Sequence, residues 1–270
     1  MRRVRRVPKL PPRAPDVHKG DLGRVLVVAG SGEMLGAAVL CARAAARSGA
    51  GLVRVSLPAA LGSLLPLAVP EATTCTRSAG AVRRHAAEAD AVVVGPGLTA
   101  AASTRALVRS VLAAAERPVV LDADALNVSA PLVEPFDAQA AVVLTPHPGE
   151  AARLLGASTA AVQADRVGAV EALCQRSGGV VLLKGPRTLV CDGARLYENG
   201  TGNPGMATGG AGDVLAGLLG ALLARGLGAF DAACLAARVH GAAGDRVART
   251  RGVEGLIASD LCDAISKELP

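Results

Sequence analysis

The chain has 270 residues, 51% hydrophobic and 19% charged, a composition that can bury a large core and excludes the disordered and fibrous classes. No stretch reaches the roughly 18 uninterrupted apolar residues of a membrane span, because Arg, Asp, Gly and Pro break every candidate; a soluble, cytoplasmic protein without membrane contact is expected. The formal charge is +6, but Arg2, Arg3, Arg5, Arg6, Lys9 and Arg13 all lie at the start and aromatics are 1% of the chain, so no nucleic-acid partner is expected.

The opening MRRVRRVPKLPPRAP is basic and lacks the apolar core of a signal peptide, so residues 1–15 read as a flexible leader before one domain over 16–270. Short Val-rich runs then alternate with Ala/Leu-rich segments carrying Arg or Glu at helical spacing. Strands are predicted at Arg24–Ala29, Leu52–Leu57, Ala91–Gly95, Pro118–Asp122, Ala141–Thr145 and Val180–Lys184. Helices are predicted at Gly36–Ser48, Ser103–Glu116, Gly149–Leu155, Ala160–Ser177, Gly212–Ala224, Ala229–Thr250 and Leu256–Lys267. The stretch Thr188–Glu198, turning at Asp192-Gly193, reads as an antiparallel hairpin. Near-continuous apolarity of the strands implies burial on both faces, hence a three-layer α/β/α fold with a mostly parallel central sheet. Six cysteines without a CxxC pair suggest neither a zinc site nor a disulfide framework and read mostly as core residues. The Ala-rich helices are compatible with a homo-oligomer, a tetramer included, without fixing the state.

In open sheets of this class, ligands bind beyond the carboxyl ends of the strands, and the unusual motifs fall there. The densest is NGTGNPGMATGGAGD at 199–213, followed directly by an apolar helix. Glycines 209, 210 and 212 allow backbone N–H groups to approach an anion, and the helix N-terminus adds unsatisfied donors and about half a positive charge. Asp213 then stands where it can accept a proton from an attacking hydroxyl. The plainer alternative is an N-cap beside a flexible turn. The segment does not match GxxxxGK[ST], which excludes the ordinary P-loop. Gly30–Gly36 fails the spacing of a Rossmann fingerprint.

Further stretches are HKGDLGRVLVVAGSGEMLGAA at 18–38, VVVGPGL at 92–98, DADALN at 122–127, LTPHPGE at 144–150, LKGPRTLV at 183–190 and NPGMATGGAGDVLAG at 203–217. In order and spacing, from His18 to about Gly217, they resemble the ADP/ATP-dependent NAD(P)H-hydrate dehydratases, in the stand-alone bacterial form of that family. The resemblance implies a ribokinase-like fold and repair of hydrated NADH and NADPH in the S form. ADP or ATP with Mg²⁺ phosphorylates the ring hydroxyl, and phosphate is then eliminated. It implies Asp213 as catalytic base and substrate contact, and Ala37, Gly97 and His147 as substrate-binding residues. It implies nucleotide binding by Lys184, Gly185, Pro186, Arg187, Thr188 and Gly212, and a separate NAD(P)H-hydrate epimerase as a working partner. Ala211 departs from the threonine expected in GGTGD. The competing reading is a kinase of the same fold acting on a vitamin precursor or sugar.

Several residues keep two readings. Glu150 either helps hold Mg²⁺ through water or favours a helix start as a first-turn acid, the preferred reading. Asp122 and Asp124 either face a metal-bound phosphate or cap a turn. His18 and Lys19 either meet an anionic substrate or belong to a solvated entry loop. Arg187 reads as an exposed cation near the nucleotide, and the metal ligands stay unassigned.

Overall fold

Successive side chains of a strand point to opposite faces, so an unbroken Val run presents apolar groups to both sides. In the computed structural model, which describes residues 1–269, these runs become inner strands of a ten-stranded sheet. The elements in chain order begin β1 (Arg2–Val4), β2 (Arg24–Val28), α1 (Leu35–Arg47), β3 (Leu52–Leu57), α2 (Leu65–Ala68), β4 (Thr73–Thr76), α3 (Ala79–Glu88) and β5 (Ala91–Val94). The middle of the chain forms α4 (Ala102–Ala114), β6 (Val119–Leu121), α5 (Asp124–Ser129), β7 (Val142–Leu144), α6 (Pro148–Leu155), α7 (Thr159–Ala164) and α8 (Arg166–Ser177). It closes with β8 (Val180–Leu183), β9 (Leu189–Cys191), β10 (Arg195–Glu198), α9 (Ala211–Ala224), α10 (Ala229–Arg251) and α11 (Ala258–Ile265).

The strand order is β1-β10-β9-β8-β7-β6-β5-β2-β3-β4, and only β9 runs antiparallel to its neighbours. Val25 and Val27 of β2 face the layer of α1, α9, α10 and α11, while Leu26 and Val28 face the layer of α3 to α6 and α8. Fully burying each such side chain contributes roughly 1.5–3 kcal/mol relative to exposure. The chain leaves β2 toward β3 and β4 on one side and resumes at β5 on the other, so strand order reverses between β2 and β5. Helix α9 is apolar nearly all round, with 11 of its 14 residues buried, as expected of a helix enclosed by protein. Close approach fixes its height on the sheet: a Cβ at Gly220 would lie 2.4 Å from Val93 Cγ2. The start of α9 is thereby pinned above the carboxyl edge.

The structure differs from the sequence reading in four places. Residues 1–15 are not a leader apart from the fold: Arg2–Val4 pair with Arg195–Tyr197, and Val4, Val7 and Leu10 pack on the core. Backbone hydrogen bonds at an open sheet edge need no apolar pattern, which is why the pairing was invisible. The predicted helix Ala160–Ser177 is two, because Asp165 accepts from Gly168 N at 2.8 Å and caps a new helix start. Elements α2, β4, α3 and α5 were unanticipated; β4 is a polar edge strand and the helices are short or mainly polar. Helix α11 is shorter than expected. Cysteines 41, 174, 191, 234 and 262 are buried core residues, and Cys75 is half-buried.

Candidate active site

Three adjacent strands deliver polar groups to one place. Asp122 follows β6, Thr145 follows β7 and Lys184 follows β8, and Lys184 N donates to Pro146 O at 2.8 Å to lock two of these ends together. Asp122 is only 1% exposed; its Oδ1 accepts from Thr145 Oγ1 at 2.7 Å and from Lys184 Nζ at 2.8 Å. Glu150, also buried, brings Oε2 to 3.6 Å from the same Nζ. Burial favours the neutral amine, but Asp122, Glu150 and Asp213 together outweigh it and hold the Lys184 ammonium above its usual range.

The glycine-rich segment ends above this ammonium. Gly210, at φ +88°, turns the chain into α9, and a Cβ at Gly212 would lie 3.3 Å from Lys184 Nζ. Free N–H groups of a helix start and a fixed cation thus face the same small volume, an arrangement that holds phosphate. Asp213 occupies the first turn, and its carboxyl is pushed up to about 7, first by burial, then by Asp122, with Lys184 opposing. A carboxyl poised near neutrality suits a general base.

The opposite wall comes from the loops after β2 and β5. Gly30 N donates to Pro96 O at 2.7 Å, which binds the two loops. Gly97, at φ +62°, sits so close that a Cβ there would lie 2.9 Å from Ala37 Cβ and from Met34 Cβ. The structure therefore brings Ala37 and Gly97 together. A Cβ at neighbouring Gly95 would fall 1.7 Å from Asp122 O, so this wall abuts the carboxylate side. Asp124 holds the wall, its Oδ2 accepting from Thr99 N at 2.8 Å; it is a turn-capping residue.

His147 starts α6. Its Nδ1 accepts from Gly149 N at 3.0 Å while Glu150 Oε2 accepts from His147 N at 2.7 Å, a capping box that leaves the imidazole half-exposed. Burial lowers its pKa, Glu150 opposing. The helix-start reading of Glu150 and its place beside Lys184 are thus both realised. Beyond Lys184, Gly185 packs under Arg166, and Thr188 Oγ1 donates to Gly185 O at 2.9 Å, curling the 184–188 segment into a tight turn. Arg187 is exposed but paired with Glu198, which Arg3 also approaches at 3.7 Å. A cavity of about 490 Å³ opens there, lined by Arg3, Arg5, Arg187, Glu198 and Asn199 among others. His18 is exposed, its Nδ1 3.0 Å from Asp21 Oδ2, and belongs to a solvated entry loop.

A family model described as NAD(P)H-hydrate dehydratase matches residues 25–267. The chain belongs to the NAD(P)H-hydrate dehydratase family. It is 43% identical to an ADP-dependent (S)-NAD(P)H-hydrate dehydratase of Neisseria meningitidis serogroup B, over 93% of this chain and 86% of that one. It is also 43% identical to a bifunctional NAD(P)H-hydrate repair enzyme of Moorella thermoacetica, over 94% of this chain and 51% of that one. The chain spans about half the length of the bifunctional relatives it matches. Among solved structures it is similar to the ADP/ATP-dependent NAD(P)H-hydrate dehydratase of Bacillus subtilis co-crystallized with ATP/Mg²⁺, with TM-score 0.87, 32% identity, and 96% of this chain and 93% of that one covered. The three-layer fold, one sheet between two helical layers, is that of this ribokinase-like dehydratase family.

Of the residues singled out in the sequence, Lys184, Gly212 and Asp213 share one volume, and Ala37 and Gly97 form the facing wall. Gly185 and Thr188 shape the turn with Pro186 and Arg187, while Arg187 is occupied by Glu198. Thr145 and Glu198 escaped notice. A Thr directly beyond a buried strand and an acid closing a hairpin are the only signals that pointed to them.

Proposed function

We propose that this chain dehydrates the S form of hydrated NADH and NADPH back to NADH and NADPH, using ADP or ATP as phosphoryl donor. The observation that carries the reading is Asp213, a carboxyl raised to about 7 in the first turn of a helix whose start faces the Lys184 ammonium. The nucleotide's terminal phosphate settles on the N–H groups at Gly212 and on Lys184. Asp213 takes the proton of the ring hydroxyl as its oxygen attacks phosphorus; the new O–P bond forms as the bond to the nucleotide's bridging oxygen breaks. The ring nitrogen's lone pair then expels phosphate, and loss of a ring proton restores the double bond. Ala37, Gly97 and His147 hold the dinucleotide, and residues 184–188 hold the nucleotide.

Mg²⁺ held mainly by phosphates needs only one or two carboxylates and keeps several waters. Asp122 and Glu150, converging on Lys184, fit that demand; among the described residues no group of three or more His, Cys, Asp or Glu suited to a metal occurs. The ion would neutralise charge on the phosphates. A separate epimerase supplying the S form, a homo-oligomeric assembly and a cytoplasmic setting complete the proposal; relatives named bifunctional repair enzymes support the first. Among the described residues no helix is long and apolar enough to cross a membrane. The test is incubation with hydrated NADH, Mg²⁺ and ADP or ATP, following NADH absorbance. Recovery only with nucleotide is expected, and its absence sinks the reading.

A further inference from the structure

Residues 199–206 carry the chain from β10 toward the glycine loop before Asp213, with one short helical turn, Pro204–Met206, as their only regular structure. Their conformation is imposed by α10, which meets them along one face. Asn199 Nδ2 donates to Ala237 O at 3.1 Å, and Thr201 Oγ1 donates to Arg238 O at 2.9 Å. One carboxylate oxygen of Asp245 accepts from Gly202 N at 2.9 Å, and the other accepts from Asn203 Nδ2 at 3.0 Å. Asn203 Oδ1 in turn accepts from Gly205 N at 3.0 Å, so the clamp extends into the helical turn.

The contact is as close as backbone allows. A Cβ at Gly241 would lie 2.3 Å from Thr201 Oγ1, and one at Gly244 would lie 2.3 Å from Met206 Sδ. Gly202 is held at φ +108°, open to glycine but not to an L side chain, and in that conformation its N–H meets Asp245. The same helix reaches the far end of the loop. His240 stands beside the Ala211 backbone, kept neutral by burial that lowers its pKa to about 4, and its Nε2 is buried without a hydrogen-bond partner.

We infer that Asp245 is a positioning residue for the phosphate loop: by gripping Gly202 and Asn203 at once it sets the register of residues 209–213 against Lys184. The inference rests on the reading of the α9 start as the phosphate site. Asp245 does not itself touch the reacting atoms. Both of its oxygens are needed, because one bond orients a backbone N–H and the other a side chain that governs the next turn.

The bond pattern supplies its own test. Asp245→Asn keeps one acceptor but turns a donor toward the Asn203 amide, setting two donors face to face. Adding Asn203→Asp exchanges donor and acceptor and restores every bond. Calorimetric ADP binding and dehydration of hydrated NADH are measured on the wild type, both single variants and the double, with thermal unfolding as a check on folding. Asp245→Asn is expected to weaken ADP binding ~10-fold and lower kcat ~100-fold, since a misplacement of about 1 Å costs that much. KM for the hydrated dinucleotide should move little, because Ala37 and Gly97 stand on other elements. The double variant is expected to recover most of both losses.

Unchanged ADP affinity and kcat in Asp245→Asn would overturn the inference, as would a folded double variant no better than that single. If Asp245→Asn does not fold, Asn203→Ala removes the same bond from the loop side, and wild-type ADP affinity there is equally fatal. ADP binding is read without turnover. A wild-type protein that binds ADP but does not dehydrate therefore removes the proposed reaction and leaves the clamp to be judged by the binding series.

Discussion

Lys184 Nζ stands 2.8 Å from Asp122 Oδ1, joining the carboxyl ends of β8 and β6 across the intervening β7. Replacing Lys184 by Met strands the buried carboxylates of Asp122 and Glu150 and is expected to cost about 3–5 kcal/mol, read as a lower urea midpoint at unchanged slope. Adding Asp122→Leu removes one of the two stranded charges and should restore part of that stability, Glu150 remaining unpaired. ADP affinity should stay lost in the double variant, because the ammonium that faces the phosphate site is gone. If affinity returns with stability, Lys184 is structural only.

Asp213→Asn keeps the size of the side chain and the open helix start but removes the base. Turnover should fall by at least ~100-fold, the usual scale of general-base catalysis, while calorimetric ADP affinity changes less than about threefold. Near-normal turnover would take the base role away from Asp213.

The pH profile follows from the same carboxyl. With its pKa raised to about 7, kcat/KM should climb with pH up to an inflection near that value and then level off. Stability should move the other way. The folded carboxyl keeps a proton that the unfolded one releases near its ordinary value, so between about pH 4 and 7 the folded state binds more protons and this group's contribution falls as pH rises. Thermal unfolding of Asp213→Asn across that window should show the shallower dependence.

His147 has two separable jobs. His147→Ala removes the Nδ1 cap of α6 and should cost about 1 kcal/mol in stability as well as raising KM for the hydrated dinucleotide. His147→Asn keeps a capping oxygen, so stability should recover while KM stays high. An unchanged KM in both variants would confine His147 to capping.

Gly97→Ala tests the substrate wall. The φ of +62° and the 2.9 Å approach to Ala37 and Met34 leave no room for a methyl, so a cost of about 1–3 kcal/mol is expected. The KM for the dinucleotide should rise with ADP affinity intact, which kinetics and calorimetry on the same sample would separate.

Much of the site was legible because its signals are local. A glycine run before an apolar helix announces a loop on a helix start, and prolines flanking His147 announce a rigid presentation beyond a strand. The nucleotide role of residues 184–188 came through family resemblance. Ala37 likewise came only through family resemblance, since its residue type carries no chemistry that a pattern would flag.

Two-sided burial leaves unbroken Val runs, so the layered α/β class is legible from the chain alone, as is the helix that presents Asp213. That Lys184 sits between Asp122 and Glu150 and that Asp245 grips Gly202 and Asn203 follows only from the assembled fold. So does the pairing of Arg2–Val4 along β10 as the outermost strand. Each of these joins residues far apart in the chain by hydrogen bonds or charge pairing. Such partners carry no periodicity; strand order and helix packing set who meets whom.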